Sequence, residues 1–562
     1  MRPSRCTRVV VKRLTLCYRG LAACLVVITG LQAQDRSDAY AGSEACQDCH
    51  TQIYATYFKT PMGQSSGQVG ADVFPAGFQS TSFQHASSGI LYRVDRDSKG
   101  QHLSFESTRP ATDQEVFRGS RRLEYYIGSG AAARGYIFSM EGYWFQSPVS
   151  YYSRRRKWDV APGYEQDKSL DISRPVDRQC LECHASRVQL VEGTLNKYRG
   201  APFLEGAVGC ERCHGPGAAH VKRMSAGAET GSKEIVDPSR LEPARRDSVC
   251  ARCHLTGEIN VARLGRSLSA FQPGDVLSDH SVAFVWSPPE EDGIKVIGHF
   301  ERLWQSRCKQ ESGDSLWCGT CHDPHSVPSD DERAEHFRAK CLSCHESKLD
   351  AGHARLAKGR DNDCKACHMP NTRARDGGHS AFTDHSIPRT PHRKRQPVEA
   401  RRELVPFWTG SGADRELGLA YARLALRERD RSYAIRAFQL LEKVPASNDP
   451  QVALQLAFLY DRRGDQAKAI ELYRRAASLD PSLLAATVNL GGKLALQGRY
   501  QEAAKLWEDA LARNAGLEAA RINSAIAYRR MGNEAAARTE LLKVLQFSPG
   551  SEAARKLLRN RE

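Results

Sequence analysis

Three patterns of apolar and polar positions divide the chain. From Gly89 to Tyr152, the runs "GILYRV", "HLSFES", "RGYIFSM" and "YWFQSPVSYY" set β-branched and aromatic residues among polar ones. They predict short antiparallel strands, with Glu141-Gly142 as the hairpin turn between the last two. From about Gly412 the sequence is alanine-rich with a helical period, and that pattern recurs every 34 residues. Gly464, Gly498 and Gly532 mark the turns; Ala469, Ala503 and Ala537 recur at one helix contact, and Tyr473, Trp507 and Leu541 at the next. Pro481 and Pro549 close repeats, and a degenerate first repeat starts near Glu416. Between these regions apolar residues are too sparse for a sustained period, which predicts scattered helices and loops. Before the repeats, "TPHRKRQPVEARRELVP" is basic and proline-bearing, and residues 390–411 read as a linker.

The amino terminus changes the charge picture. Arg2, Arg5, Arg8, Lys12, Arg13 and Arg19 come without an acid and precede the apolar run "GLAACLVVITGLQA". This reads as a secretory signal, residues 1–33, cleaved near Ala33. The run falls short of the roughly 20 residues a membrane-spanning helix needs, so no stable transmembrane segment is expected. A lipid attachment at Cys24 is disfavoured because the hydrophobic stretch lies mostly after it. The formal net charge of +15 loses six positive charges with the signal, leaving 15 − 6 = +9. A periplasmic or otherwise exported protein is expected, and nucleic acid is not read as a partner.

Candidate chemistry explains why the middle of the chain lacks a core of its own. C-x-x-C-H occurs seven times, with cysteines at Cys46/Cys49, Cys180/Cys183, Cys210/Cys213, Cys250/Cys253, Cys318/Cys321, Cys341/Cys344 and Cys364/Cys367. The histidines that follow are His50, His184, His214, His254, His322, His345 and His368. With 18 Cys and 18 His in 562 residues, random placement would give about 0.02 such matches. The pattern is the attachment signature of c-type haem, in which two thiols add to the haem vinyl groups and the adjacent imidazole becomes the proximal iron ligand. Zinc knuckles, redox C-x-x-C pairs and structural disulfides give no reason for a histidine after every second cysteine. Export agrees with haem attachment. It also removes Cys6, Cys17 and Cys24, so Cys308 is the one cysteine left outside the motifs, read as a thiol without a role or as a haem contact.

Start-to-start gaps between motifs are 134, 30, 40, 68, 23 and 23 residues. Short gaps leave room for little besides cofactor, so haem itself is expected to form much of the core. The expected fold is mainly α. A haem-packed multihaem cytochrome domain (34–389) has sparse helices and a small antiparallel β insertion (about 86–160). An α-solenoid of helical repeats (412–562) follows, expected to fold on its own.

Two resemblances add to this reading. "CERCHGPGAAH", "CGTCHDPH", "CKACHMP" and "FTDHSIPR" resemble the multihaem cytochrome superfamily of hydroxylamine oxidoreductase, pentahaem nitrite reductase and related tetrahaem carriers. The 34-residue repeats resemble the tetratricopeptide family. Together with "YYIGSG", "QSPVSYY", "APGYE" and "RLWQSRC", the whole resembles bacterial multihaem cytochromes fused to tetratricopeptide repeats. The superfamily resemblance implies that a histidine shortly after a motif reaches a neighbouring iron, which points to His220 and His325. His379, His385 and His353 are further distal candidates, followed by Met62 and His85. Met62, twelve residues after His50, would raise the potential of the first haem by thioether ligation; His85 or another histidine is the alternative there. The C-x-x-C-K haem of the nitrite reductases is absent, and seven motifs differ from the eight haems of hydroxylamine oxidoreductases. The function expected is electron transfer to or from a redox partner protein, with protein docking on the repeats. The alternative is an oxidoreductase acting on a small nitrogen or sulfur compound at one open haem.

Overall fold

The computed structural model of the chain describes residues 39–560 apart from 71–72, 75–77, 98–99, 108–116, 229–233, 290–293, 346–361, 390–401, 409 and 411. The signal segment, His353 and His392 lie outside the described residues. Among those described, no helix is long and apolar enough to cross a membrane.

The β content is larger than the fold class read from sequence, and the description "mainly α" is corrected here. A five-stranded antiparallel sheet has the spatial order Ser66–Gln68, Tyr125–Ile127, Ala133–Met140, Tyr143–Tyr152 and Lys157–Val160. A four-stranded sheet orders Ser80–Gln84, Ile90–Asp97, Gly100–Ser107 and Arg118–Arg122. The strong apolar runs are the central strands of these sheets. The strands missed in sequence, "SGQ", "STSFQ" and "RGSRR", are short and polar because they lie at or near sheet edges, where only the backbone ladder recruits them. The expected Glu141-Gly142 turn is present, both residues having positive φ (52° and 79°), as a two-residue hairpin turn of that hand requires. Phe74, Tyr136 and Trp158 stack at 5.2–5.6 Å inside this region.

The C-terminal helices carry the 34-residue period into space. The first helices of successive repeats, Pro450–Arg462, Leu484–Leu496 and Glu518–Arg530, and the closing helix Glu552–Arg559 begin at 34-residue steps. An earlier pair, Asp414–Glu428 and Arg431–Leu441, forms the degenerate first repeat. Ala469, Ala503 and Ala537 are fully buried where the paired helices meet, and Tyr473, Trp507 and Leu541 fill the next layer. Trp507 Nε1 donates to Val488 O at 3.0 Å. A Cβ at Gly491 would lie 2.6 Å from that indole nitrogen, so glycine there is what lets the two helices close.

The repeats are anchored to the rest of the protein at both ends. The segment read as a linker is no free tether from Arg402 onward. Glu403–Pro406 is an edge strand pairing antiparallel with Ser281–Ser287, which also pairs with Ile259–Ala262. Val261, Val282, Phe284, Trp286 and Leu404 share one core with Leu419 and Leu424 of the first repeat. At the other end Phe547 meets Phe145 edge-on at 5.6 Å, and Tyr143 donates to Ala512 O at 2.7 Å. The expectation of a self-contained repeat domain therefore gives way to one that shares buried surface with its neighbour.

Glu258 ties the first repeat electrostatically. Its side chain is 6% exposed and meets Lys295 at 3.6 Å, Arg375 at 3.7 Å and Arg427 of the first repeat helix. Burial alone would raise its pKa, but Lys295, Arg427 and Arg375 outweigh burial and hold the carboxyl below its ordinary value of 4.5. Because the folded value is depressed, the stability from this group is present above 4.5 and is lost as pH falls through the folded value. Glu258→Gln is therefore expected to lower the urea midpoint at neutral pH, and the difference from wild type should shrink on acidification below 4.5. A difference independent of pH would reject the ion-pair account. Trp507→Ala should cost about 3–5 kcal/mol in chemical unfolding followed by helical circular dichroism; a loss well under 1 kcal/mol would show that Trp507 is not a core anchor.

Candidate cofactor-binding site

Six of the seven motifs lie on helical turns: within Arg178–His184, Glu211–His214, Pro243–His254, Cys318–Cys321, Arg333–His345 and Cys364–His368. The first sits where the 3-10 turn Ser43–Cys46 runs into the helix Thr51–Tyr57. Helical residues three and four apart share a face, so this local structure turns both thiols and the imidazole of C-x-x-C-H the same way. Asp177 caps the second motif by accepting from Cys180 N at 3.1 Å, and Asp363 caps the seventh by accepting from Lys365 N at 3.0 Å.

Motifs distant in sequence meet through their thiols. Cys46 bonds to Cys210, Cys183 to Cys253 and Cys250 to Cys318, while Cys341 contacts Cys364. The accepting thiol of each bonded pair is lowered mainly by that bond, Cys210 to about 7 and Cys253 to about 6, with Cys318 also lowered. Cys213 also feels Cys253, and Cys341 feels Cys321. The first motif therefore neighbours the third, the fourth neighbours the second, third and fifth, and the sixth neighbours the fifth and seventh. Cys308 lies within this group, where burial raises its thiol and Cys344 adds to the shift.

Three of the cysteines read as haem tethers, Cys49, Cys180 and Cys367, take no part in these thiol contacts among the described residues. Cys49 is exposed, as is His50 beside it, on the turn between Ser43–Cys46 and Thr51–Tyr57. Cys367 is half-buried on Cys364–His368. Among the described residues no hydrogen bond joins either thiol to another motif. The first and seventh motifs end the series, and in each the first cysteine, Cys46 or Cys364, takes the contact with its neighbour. The tethering role of Cys49 and Cys367 therefore rests on the C-x-x-C-H pattern alone.

Imidazoles meet in pairs. His214 and His325 have ring centres 5.8 Å apart and nearly parallel, His254 and His299 are 5.8 Å apart and nearly perpendicular, and His322 and His385 are 6.2 Å apart. Two imidazoles sharing one metal through bonds of about 2 Å hold their ring centres about 6 Å apart. The three pairs have that spacing. The 4.9 Å between His299 and His385 is instead an edge contact between the two pairs. Nitrogen usage agrees. Nδ1 donates to Val236 O in His214 (2.8 Å), to Pro388 O in His368 (2.9 Å) and to Thr383 O in His385 (3.0 Å), and Nδ1 of His325 faces Asp323 at 3.6 Å. In His214, His325 and His385 this contact steadies the ring and leaves Nε2 for a metal. Burial lowers the pKa of His184, His254, His325 and His385, and with neighbouring histidines pushes His322 down to about 4 and His299 to about 3. These rings are neutral near pH 7, the form that ligates metal. Nδ1 of His184 and of His299 is buried without a hydrogen-bond partner, a penalty of about 1–3 kcal/mol each unless another group offsets it. The residues present thus fit haem iron held between two imidazoles.

The remaining sequence candidates fall in different surroundings. His85 has both nitrogens engaged, Nδ1 with Ser88 Oγ at 2.8 Å and Nε2 with Glu165 O at 3.1 Å, inside the β region, so neither nitrogen is left for iron. His379 places Nε2 3.3 Å from Asp159 and its ring 5.2 Å from Tyr152, beside the five-stranded sheet. His220 is half-buried on the helix Ala218–Ser225 that follows the third motif. Met62 is half-buried, and its carbonyl accepts from Ser65 and from Val208 N (3.2 Å), while Ser65 Oγ also reaches His184 O at 2.9 Å. That turn therefore sits beside the second and third motifs as well as the first. His353 lies outside the described residues.

Sequence reasoning missed His299. It stands in "GHFERLW", away from any motif, and no local signal marks it. It also missed the acids that hold the motifs together. Glu211, inside the third motif, accepts from Ala41 N (2.8 Å), Gly42 N (2.9 Å) and Gly217 N (2.7 Å). Ser43 Oγ accepts from Cys210 N at 2.8 Å, which presses the approach to the first motif against the third. Glu182, inside the second motif, faces Arg252 of the fourth at 3.9 Å. Glu301 accepts from Thr256 N (2.9 Å) and Gly257 N (2.5 Å) just past the fourth.

Comparison with known families agrees with two parts of this architecture. The tetratricopeptide repeat family matches residues 450–483 and 494–560. The family described as cytochrome c554 and c-prime matches residues 150–215, which hold the second and third motifs. No curated protein matches the chain. Among solved structures the repeats are similar to MamA (18% identity, 25% of this chain and 81% of that one, TM-score 0.21). They are similar too to the first tetratricopeptide domain of Spaghetti bound to an HSP90 peptide (20% identity, 20% and 90%, TM-score 0.19). A third is YrrB, described as having an unusual peptide-binding site (17% identity, 26% and 73%, TM-score 0.22). The chain therefore joins a region similar to c-type cytochromes to C-terminal tetratricopeptide repeats.

Proposed function

We propose that the protein is an exported seven-haem c-type cytochrome that relays electrons, with its tetratricopeptide repeats serving to dock a protein partner. The observation that carries this reading is the continuity of the motifs: thiols or imidazoles of each motif approach those of another, so the tethering points form one connected series. Covalently attached haem supplies one-electron redox chemistry at iron. The chain's own residues do the rest. The paired cysteines tether, the bonds from Nδ1 orient the imidazoles, and burial keeps the rings neutral and water away. The contacts order the motifs as first, third, fourth, fifth, sixth and seventh, with the second branching from the fourth. Docking on the repeats is supported by the family match.

The mature protein is expected to carry seven covalent haems, read by haem staining and intact mass; five or fewer would sink the reading. Its magnetic and optical spectra decide between relay and enzyme. Low-spin haems throughout support the relay, and a high-spin haem that binds nitrite, hydroxylamine or cyanide supports an oxidoreductase acting on a small nitrogen or sulfur compound. The spatial order has its own test. Secreted without haem and oxidised, the chain should form Cys46–Cys210, Cys183–Cys253 and Cys250–Cys318 disulfides in peptide mapping, and bridges solely within motifs would contradict the order.

A further inference from the structure

The short helix His299–Gln305 sends polar groups to three places. His299 meets His254, Glu301 holds the backbone just after the fourth motif, and Arg302 reaches the segment that carries His385. Arg302 makes a two-pronged contact there: Nε to Asp384 Oδ1 at 2.9 Å and Nη2 to Asp384 Oδ2 at 2.6 Å. Nη2 also reaches Ser386 Oγ at 3.4 Å, and Nη1 is steadied by Gln305 Oε1 at 3.0 Å. Asp384 is 6% exposed, so the pair is shielded from water.

We propose that Arg302 is a positioning residue that, through Asp384, holds the His385 imidazole facing His322, where the two rings would hold the iron of the haem tethered by Cys318 and Cys321. The assignment rests on the haem-relay reading above. Its geometry is specific to His385. Residues on both sides of this histidine are gripped by one guanidinium, and its own Nδ1 donates back to Thr383 O at 3.0 Å, so neither backbone nor ring is free to turn. Asp384 adds a second hold by accepting from Ser386 N at 2.9 Å, and its own amide is fixed to Pro370 O at 3.0 Å, just past the seventh motif. The planar fork of arginine supplies two parallel bonds, which a lysine ammonium cannot reproduce. His385 needs this control because it has a competing neighbour. Its ring touches His299 at 4.9 Å while it must face His322 at 6.2 Å, and a small rotation would exchange one for the other.

The test uses the full-length haem-loaded protein, with electron paramagnetic resonance, cyanide binding and redox titration as readouts. Arg302→Gln is expected to keep the wild-type haem-to-protein ratio while one haem passes from low-spin to high-spin, binds cyanide and shifts in potential. Arg302→Lys should restore the low-spin signal only in part, whereas a purely electrostatic role would be rescued fully. Arg307→Gln, an exposed neighbour paired with Glu311, serves as the control and should match wild type. Wild-type spin state and no cyanide binding in Arg302→Gln would overturn the proposal. Should that variant fail to accumulate, Asp384→Asn decides by the same spectra, an unchanged low-spin signal overturning it. A wild type that itself lacks low-spin haem overturns the relay reading and this assignment with it, and does so before any substitution is made.

Discussion

A buried imidazole that is to ligate a metal must stay neutral and keep its orientation, and several rings of this protein meet that need in the same way. His214, His368 and His385 each donate Nδ1 to a main-chain carbonyl, and for His214 and His368 that carbonyl lies 22 and 20 residues further along the chain. The chain after such a motif must therefore return and lay its backbone against the ring it has just placed. Loops that look structureless in sequence are fixed by this return.

Bringing motifs together also concentrates unpaired backbone donors in a poorly solvated region, and buried donors need acceptors. Acids within or beside the motifs meet that need. Glu211 satisfies three amides from two segments, and Glu301 satisfies two more. Replacing such an acid would leave donors orphaned where motifs meet, which is why these residues matter although they ligate nothing.

The repeats contribute rigidity to the fold. Their first turn completes a core with the three-stranded sheet, and their last buries Phe547 against Phe145. An array held at both ends bends less than a free solenoid, so a partner bound to it would keep a fixed relation to the motifs. Arg302 and Asp384 act on a smaller scale in the same way, converting a packing contact into the orientation of one ring.

The sequence by itself determined the elements whose information is local. Seven C-x-x-C-H motifs are legible because the chemistry demands those residues at adjacent positions. The repeats are legible because helix pairing imposes a 34-residue period, with Gly464, Gly498 and Gly532 at turns where φ is positive. The hairpin at Glu141-Gly142 is legible for the same local reason. Only the tertiary structure decided which motifs touch and that His299 stands against His254. It also decided that His85 spends both nitrogens on Ser88 and Glu165, and that Glu403–Pro406 is a strand and not a linker. Polar edge strands such as Arg118–Arg122 were invisible because their side chains carry no alternation of apolar and polar residues. The physical reason is common to all of these: a second imidazole, a carbonyl acceptor or a neighbouring strand is chosen by proximity after folding, and nothing in the residues beside it along the chain records which partner it will meet.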